Sequence, residues 1–298
     1  MNNMKAFFGP MKPSFLVLTP ACVLLGLGTA VWRSSQAVSL GYFLLVLVGA
    51  TCAHISVNAF NEYYDFKSGL DLVTQRTPFS GGSGALPQRP DMAGMAFITA
   101  WVSLAITALI GFYFVAVRGI ALLPLGITGL VVVFTYTNWV TRHPLLCLII
   151  PGLGFGPLMV VGTHFVLTGQ YSFTAFVASL VPFFLVNDLL LLNQFPDLEA
   201  DRSVGRKHLL VTEGKRKSAF IYIVMLVLAY VVIGLGVYTH QMPPASLIAF
   251  LTLGFALPVI KGVWQHAENP ESLLPYLGMN VAINILTPVL IAAGMLIG

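Results

Sequence analysis

The sequence predicts an all-α integral membrane protein, a bundle of about nine transmembrane helices, on three observations. Of its 298 residues, 57% are hydrophobic and only 9% charged, against roughly 25% charged in soluble domains. The apolar residues run in long, nearly unbroken stretches, and about 20 of them suffice for a helix to cross a bilayer. The Lys and Arg residues fall almost entirely in one alternating set of connecting loops, the asymmetry that sets membrane topology. A pI near 9.0 therefore reflects bases flanking membrane spans and not a nucleic-acid partner.

Taken in order, the apolar segments lie at about 14–32, 39–60, 92–115, 119–137, 144–167, 173–193, 218–239, 244–263 and 273–297, each close to the length of a span. The first follows Lys5 and Lys12, is longer than a signal-peptide core and lacks a small-residue cleavage pattern, so it is expected to be retained. With the N-terminus placed in the cytoplasm, only Arg33 and Arg118 among the bases fall outside, and the C-terminus lies outside. The acids also collect on or near the inner side. The chain is expected to be one domain, 1–298, made of two similar halves, with inner loops at about 61–91 and 194–217. Cys22, Cys52 and Cys147 sit in apolar context without metal-type spacing and read as small core residues.

Two polar stretches interrupt the hydrocarbon pattern. One runs from Asn61 through Asp65 and Lys67 to Asp71; the other runs from Asn193 through Asp197 to Asp201 and Arg202, followed by Arg206 and Lys207. Each follows a span that runs from outside to inside, and they lie about 130 residues apart, the signature of a parallel repeat with a shared site between its halves. Residues four apart share a helix face, so Asn61 pairs with Asp65, and Asn193 with Asp197 and Asp201. Ser68-Gly69 is expected to break the first helix before Asp71, and Pro196 to loosen the second before Asp197.

Carboxylates clustered at a membrane boundary repel one another and call for a cation. Oxygen ligands without His or Cys pairs favour a hard ion such as Mg2+, which prefers one or two carboxylates plus substrate phosphates. A phosphorylated ligand is therefore implied, with Lys67, Arg76, Arg202, Arg206 and Lys207 available to its oxygens. Any one of these acids could instead cap a helix, and any one base could hold topology; the matched pair of stretches carries the functional reading. The segment Gln75–Pro87, with Ser80-Gly81-Gly82-Ser83-Gly84 at its centre, is long enough to be a lid over the polar site.

The pattern Asn61-x3-Asp65-x5-Asp71 with Asn193-x3-Asp197-x3-Asp201, in a chain of this topology, resembles the UbiA superfamily of intramembrane prenyltransferases. The five-residue gap before Asp71, Tyr63-Tyr64-Asp65, Pro78–Gly84 and Gly156-Pro157 to Gly162-Thr163 are most similar to the 1,4-dihydroxy-2-naphthoate branch. The resemblance implies a bundle around a central chamber open to the cytoplasmic side of a prokaryotic inner membrane. It implies two Mg2+ ions on Asp65, Asp71, Asp197 and Asp201, bridged by the diphosphate of a polyprenyl donor. It further implies an allylic cation attacked by an aromatic acceptor in menaquinone biosynthesis, within surrounding lipid. Asn61 and Asn193 would orient acids or diphosphate, and Tyr136 would contact diphosphate or acceptor.

Asp188 is an acid inside the sixth span, a functional position by default, and is a candidate proton acceptor or partner of a base. His54 reads as a helix–helix hydrogen-bonding group before it reads as a base. The same site could serve a membrane terpene cyclase or another acceptor. A cation transporter would need a charged route through the outer half, and none is visible there.

Overall fold

The computed structural model describes residues 3–33 and 37–298. Helices, in chain order, are α1 (Asn3–Phe8), α2 (Leu18–Arg33), α3 (Leu40–Lys67), α4 (Leu70–Val73), α5 (Ala85–Gln88), α6 (Ala93–Arg118), α7 (Leu123–Thr135), α8 (Pro144–Leu153), α9 (Gly162–Thr168), α10 (Phe173–Ser203), α11 (Leu209–Glu213), α12 (Lys215–Tyr238), α13 (Leu253–His266) and α14 (Leu274–Ile297). Short 3-10 turns join several of them, and no strand occurs among the described residues. Each of the nine apolar segments contains helix, although 14–17 of the first and 136–137 of the fourth are turn. Seven continuous helical stretches are long and apolar enough to cross a membrane, while α2 and the stretch Ile120–Thr135 are apolar but shorter.

Local chemistry accounts for the helix ends that matter. Ser39 caps α3 by accepting the backbone N–H of Tyr42 at 3.3 Å, satisfying one of the orphan donors of a first turn. The same helix stops at Lys67, and Gly69 turns the chain at φ +83°, a conformation that costs glycine nothing. The break expected at Ser68-Gly69 is therefore present. Pro196 behaves otherwise: α10 is helical from Phe173 to Ser203, through Pro182 and Pro196, so the expected loosening before Asp197 does not interrupt it. Between α8 and α9 the chain widens into a π-helical run, Gly154–Val161, bracketed by Pro151 and containing Pro157. Prolines that forfeit backbone hydrogen bonds commonly produce such widening.

α10 is the axis of the bundle. Two thirds of its apolar stretch, 67%, is buried inside the protein, against 17% for α3 and for the Pro90–Arg118 stretch that contains α6. It packs along α12 and against α2, α8 and α14, and Leu185, Leu192 and Phe195 from it meet Tyr222, Leu226 and Ile233 of α12 in one apolar core. The approach to α8 and to the π-helical run after it is very close. A Cβ on Gly152 would lie 2.1 Å from the Phe183 carbonyl oxygen, and one on Gly156 would lie 2.4 Å from that of Ser179. Small residues at i and i+4 let membrane helices approach this way.

α3 and α6 pack on one another at the periphery and expose large apolar side chains such as Leu109 and Phe112, as lipid-facing helices do. The C-terminal ends of α3 and α10 converge with the Gly9–Met11 turn and with residues 74–84. That convergence holds the polar stretches.

Candidate active site

The site is built from two helix ends and the segments that tie them. On α3, Asn61 donates its amide Nδ2 to Asp65 Oδ2 at 2.8 Å, the i,i+4 pairing its spacing predicts. Lys12, just past the Gly9–Met11 turn, donates to Asn61 Oδ1 at 2.8 Å and pairs with Glu62 Oε1 at 3.1 Å. Glu62 is 1% exposed and also accepts the backbone N–H of Ser83 at 2.8 Å and its hydroxyl at 2.5 Å. Burial opposes the charge on Lys12, but the carboxylates of Glu62 and Asp65 outweigh it and hold the ammonium above its ordinary pKa.

On α10, Asp201 Oδ2 accepts from His208 Nε2 at 2.9 Å and Oδ1 from Arg206 Nη1 at 2.9 Å. The other Arg206 amine, Nη2, donates to Asp65 Oδ1. One guanidinium thus bridges acids from the two halves of the chain. Arg206 is half-buried, and desolvation works against its charge, yet Asp65 and Asp201 push its pKa up.

The glycine-rich segment closes over these groups. Gly81 N–H donates to Asp197 Oδ2 at 3.1 Å, while Ser83 holds Glu62, so the segment links both halves as a lid would. Gly82, at φ +72°, passes so close that a Cβ would lie 2.9 Å from Asp71 Oδ1 and 3.1 Å from Glu62 Oε1. Only glycine fits there. Asp71, at the start of α4, is 4% exposed. Burial first, then the Glu62 and Asp65 charges, push its carboxyl up to about 7.

Behind this polar mouth lies a cavity of about 760 Å3 with Asp65, Asp71, Asp197, Asp201, Asn61 and Asn193 in its lining. Tyr136, Lys12, Arg206 and His208 line it too, and the remainder is mostly apolar. Its far wall includes Phe112 and Ile127, whose side chains are 63% and 52% exposed, so the cavity reaches the lipid-facing surface. His54 lines it with Nδ1 hydrogen-bonded to Thr19 Oγ1 at 2.8 Å and its ring edge against Phe155, in keeping with a helix–helix contact.

The residues present fit a magnesium–phosphate ligand. Asp71 Oδ2, Asp197 Oδ1 and Asn193 Oδ1 are buried without a hydrogen-bond partner, an unfavourable state for polar oxygens unless something else binds them. No three His, Cys, Asp or Glu side chains among the described residues converge on one point. Mg2+ does not require that, since phosphate oxygens and water complete its shell.

Five residues expected at the ligand do not line the cavity. Lys67 ends α3 on its exposed side, 5.8 Å above the Tyr63 ring. Arg76 lies on the outer side of the lid segment, where its guanidinium packs beneath Gly84, donates to the Asp71 carbonyl at 2.9 Å and stays within electrostatic reach of the Asp71 carboxyl. Arg202 is one residue past Asp201, hence about 100° around the helix, and pairs with exposed Glu199 at 3.3 Å. Lys207 is exposed, with its backbone N–H on the Thr141 carbonyl. Asp188 is fully buried away from the cavity, within electrostatic reach of Tyr222, and neither carboxylate oxygen has a hydrogen-bond partner among the described residues. Lys12, Glu62 and His208 are site residues that their sequence context hid. Lys12 reads as a topology charge, Glu62 as one more inner acid, and His208 carries no motif.

Comparison with known proteins agrees with this architecture. The family described as "UbiA prenyltransferase family" matches residues 19–294. The chain is 30% identical over 253 residues to the 1,4-dihydroxy-2-naphthoate octaprenyltransferase of Bacillus subtilis (strain 168), covering 82% of this chain and 78% of that one. It is 27% identical over 237 residues to UbiA prenyltransferase domain-containing protein 1 of Xenopus tropicalis, covering 78% and 67%. Among solved structures, a UbiA homolog from Aeropyrum pernix K1 superposes with a TM-score of 0.67 at 17% identity over 95% of this chain and 98% of that one. One from Archaeoglobus fulgidus, bound to GPP and Mg2+, gives 0.67 at 16% identity over 97% and 99%. With the family match spanning nearly the whole chain and the helical bundle shared with its solved members, the chain belongs to the UbiA prenyltransferase family: it is an integral membrane prenyltransferase.

Proposed function

We propose that the protein carries out Mg2+-dependent transfer of an isoprenyl group from a polyprenyl diphosphate to an aromatic acceptor, 1,4-dihydroxy-2-naphthoate. One observation carries this reading: carboxylates from both halves, Asp65 and Asp201, meet on one guanidinium at the polar mouth of a largely apolar cavity. A diphosphate head with a hydrocarbon tail is the ligand whose two ends match those two environments. The relative named for the naphthoate reaction supports the acceptor, and the neighbour bound to GPP and Mg2+ supports the donor and ion.

Asp65, Asp71, Asp197 and Asp201 would hold two Mg2+ ions. When bound, these ions neutralise charge on the departing pyrophosphate. Asn61 orients Asp65 through its amide, and Asn193 presents an unpartnered oxygen beside Asp197. Lys12 and Arg206 supply donors to phosphate oxygens the ions leave free. Tyr136 would touch diphosphate or acceptor, a role that its position in the cavity wall supports. The apolar walls exclude water from the allylic cation until a ring carbon of the acceptor attacks it. The bonds then balance: donor C–O breaks, acceptor C–C forms, and the ring recovers aromaticity as the acceptor's carboxylate leaves as CO2, giving a prenylated naphthoquinol. The whole chain acts as one domain of two similar halves. The concentration of bases on one side supports a cytoplasmic mouth and N-terminus, with the C-terminus outside.

The test uses the protein in nanodiscs with Mg2+, labelled isoprenyl diphosphates of several lengths and either 1,4-dihydroxy-2-naphthoate or 4-hydroxybenzoate. A prenylated naphthoquinol product that requires both Mg2+ and Asp65 is expected. Pyrophosphate release with neither acceptor consumed would overturn the acceptor and point to cyclisation. No release with any donor would overturn the prenyl-transfer mechanism itself.

A further inference from the structure

Arg206 stands where the site needs a cation. Its two terminal amines reach Asp65 Oδ1 on α3 and Asp201 Oδ1 on α10. The remaining oxygen of each carboxylate has its own donor: Asn61 Nδ2 holds Asp65 Oδ2 at 2.8 Å, and His208 Nε2 holds Asp201 Oδ2 at 2.9 Å. Lys12 fixes the Asn61 amide in turn. Each acid is therefore oriented by one bond and neutralised by another, and Arg206 makes only the neutralising one. Were the guanidinium to leave, two oxygens would face the cavity in place, without either side chain having to turn. Arg206 also lines that cavity, so a ligand there is within its reach.

We propose that Arg206 is the resident counter-ion of the metal-free site, occupying the oxygens of Asp65 and Asp201 that divalent cations take when the donor binds, and that the released guanidinium then binds the diphosphate. This rests on the prenyl-transfer reading above. Two buried carboxylates cannot stay ionised side by side without compensation, and a planar fork can serve both at once. The exchange makes metal and diphosphate mutually dependent. Metal alone must displace Arg206 without giving it a new partner, whereas metal with diphosphate supplies one, and such coupling is reciprocal between the two ligands.

Mn2+ read by electron paramagnetic resonance, with and without inorganic pyrophosphate, tests this on the full chain in nanodiscs of zwitterionic lipid. Wild type is expected to bind Mn2+ weakly alone and more tightly with pyrophosphate. Arg206→Gln is expected to bind Mn2+ alone about tenfold more tightly than wild type, with the pyrophosphate enhancement largely lost. Its melting temperature should fall without metal and recover on Mn2+ addition. Arg206→Lys, a point charge that cannot bridge both oxygens, should lie between. A folded Arg206→Gln with unchanged or weaker Mn2+ affinity, or with the enhancement intact, overturns the proposal. If that variant does not fold, an Arg206→Lys indistinguishable from wild type in both quantities overturns it equally. Wild type that binds no Mn2+ even with pyrophosphate would instead remove the metal-dependent reading beneath it.

Discussion

The two acidic stretches reach the same mouth by different means. On the first, Asp65 ends a helix whose apolar stretch is 17% buried, and Asp71 sits past a helix break. Its acids are tied by side chains brought from elsewhere: Lys12 from the N-terminal turn and Ser83 from the lid, both meeting on Glu62. On the second, Asp197 and Asp201 ride one unbroken helix, 67% buried across its apolar stretch and packed on α8 through Gly152 and on the π-helical run through Gly156. A helix that faces lipid on most sides cannot be located by packing, so polar ties locate its end. A helix surrounded by other helices is located by packing and can present acids at i and i+4 directly.

The largest expected effect comes from breaking either side of the shared acid pair. Asp65→Asn and Asp201→Asn should each lower turnover by about 100- to 1000-fold. The double variant should be little worse than either, because groups acting as a unit are not additive; pyrophosphate release in nanodiscs measures this, and simple multiplication would show that the halves act separately. Next, Gly152→Ala should destabilise the second side by about 1–3 kcal/mol through overpacking, since the obstruction is backbone that cannot yield. A lowered melting temperature in detergent checks it.

Glu62→Gln tests the first side. Gln keeps one of the two acceptor oxygens that Ser83 uses and no longer holds Lys12 by charge, so amide exchange across 77–84 should speed by about tenfold while α10 is unaffected. Equal loosening of both helices would mean the ties are not specific to α3.

The first side should also respond to pH. Asp71 rises from an ordinary 3.8 to about 7, through burial and then the charges of Glu62 and Asp65. A carboxyl whose folded pKa is raised contributes stability below its unfolded pKa and loses it as pH climbs through the folded value. The metal-free melting temperature should therefore decline between pH 4 and 7, levelling above it, and Asp71→Asn should flatten the decline. The smallest effects belong to the exposed bases: Lys67→Ala and Arg202→Ala should change turnover by less than about twofold, as for most surface pairs.

Composition and hydropathy alone determined the helical membrane class and the positions of the apolar segments, because spanning a bilayer constrains every stretch of about 20 residues locally. Spacing determined the pairing of Asn61 with Asp65 and the break at Gly69, both set within a turn or two of helix. Proximity between distant segments is another matter. Nothing near Glu62 in sequence says that Lys12 and Ser83 will reach it, nor that Arg206 will face the cavity while its neighbours Arg202 and Lys207 face away. One residue of offset on a helix is about 100° of direction, as between Asp201 and Arg202, and past the end of α10 at Ser203 the coil that carries Arg206 and Lys207 is directed by its contacts with other segments. The roles of the bases, the burial of Asp188 apart from the cavity, and the meeting of Asp65 with Asp201 were decided only by how the helices pack.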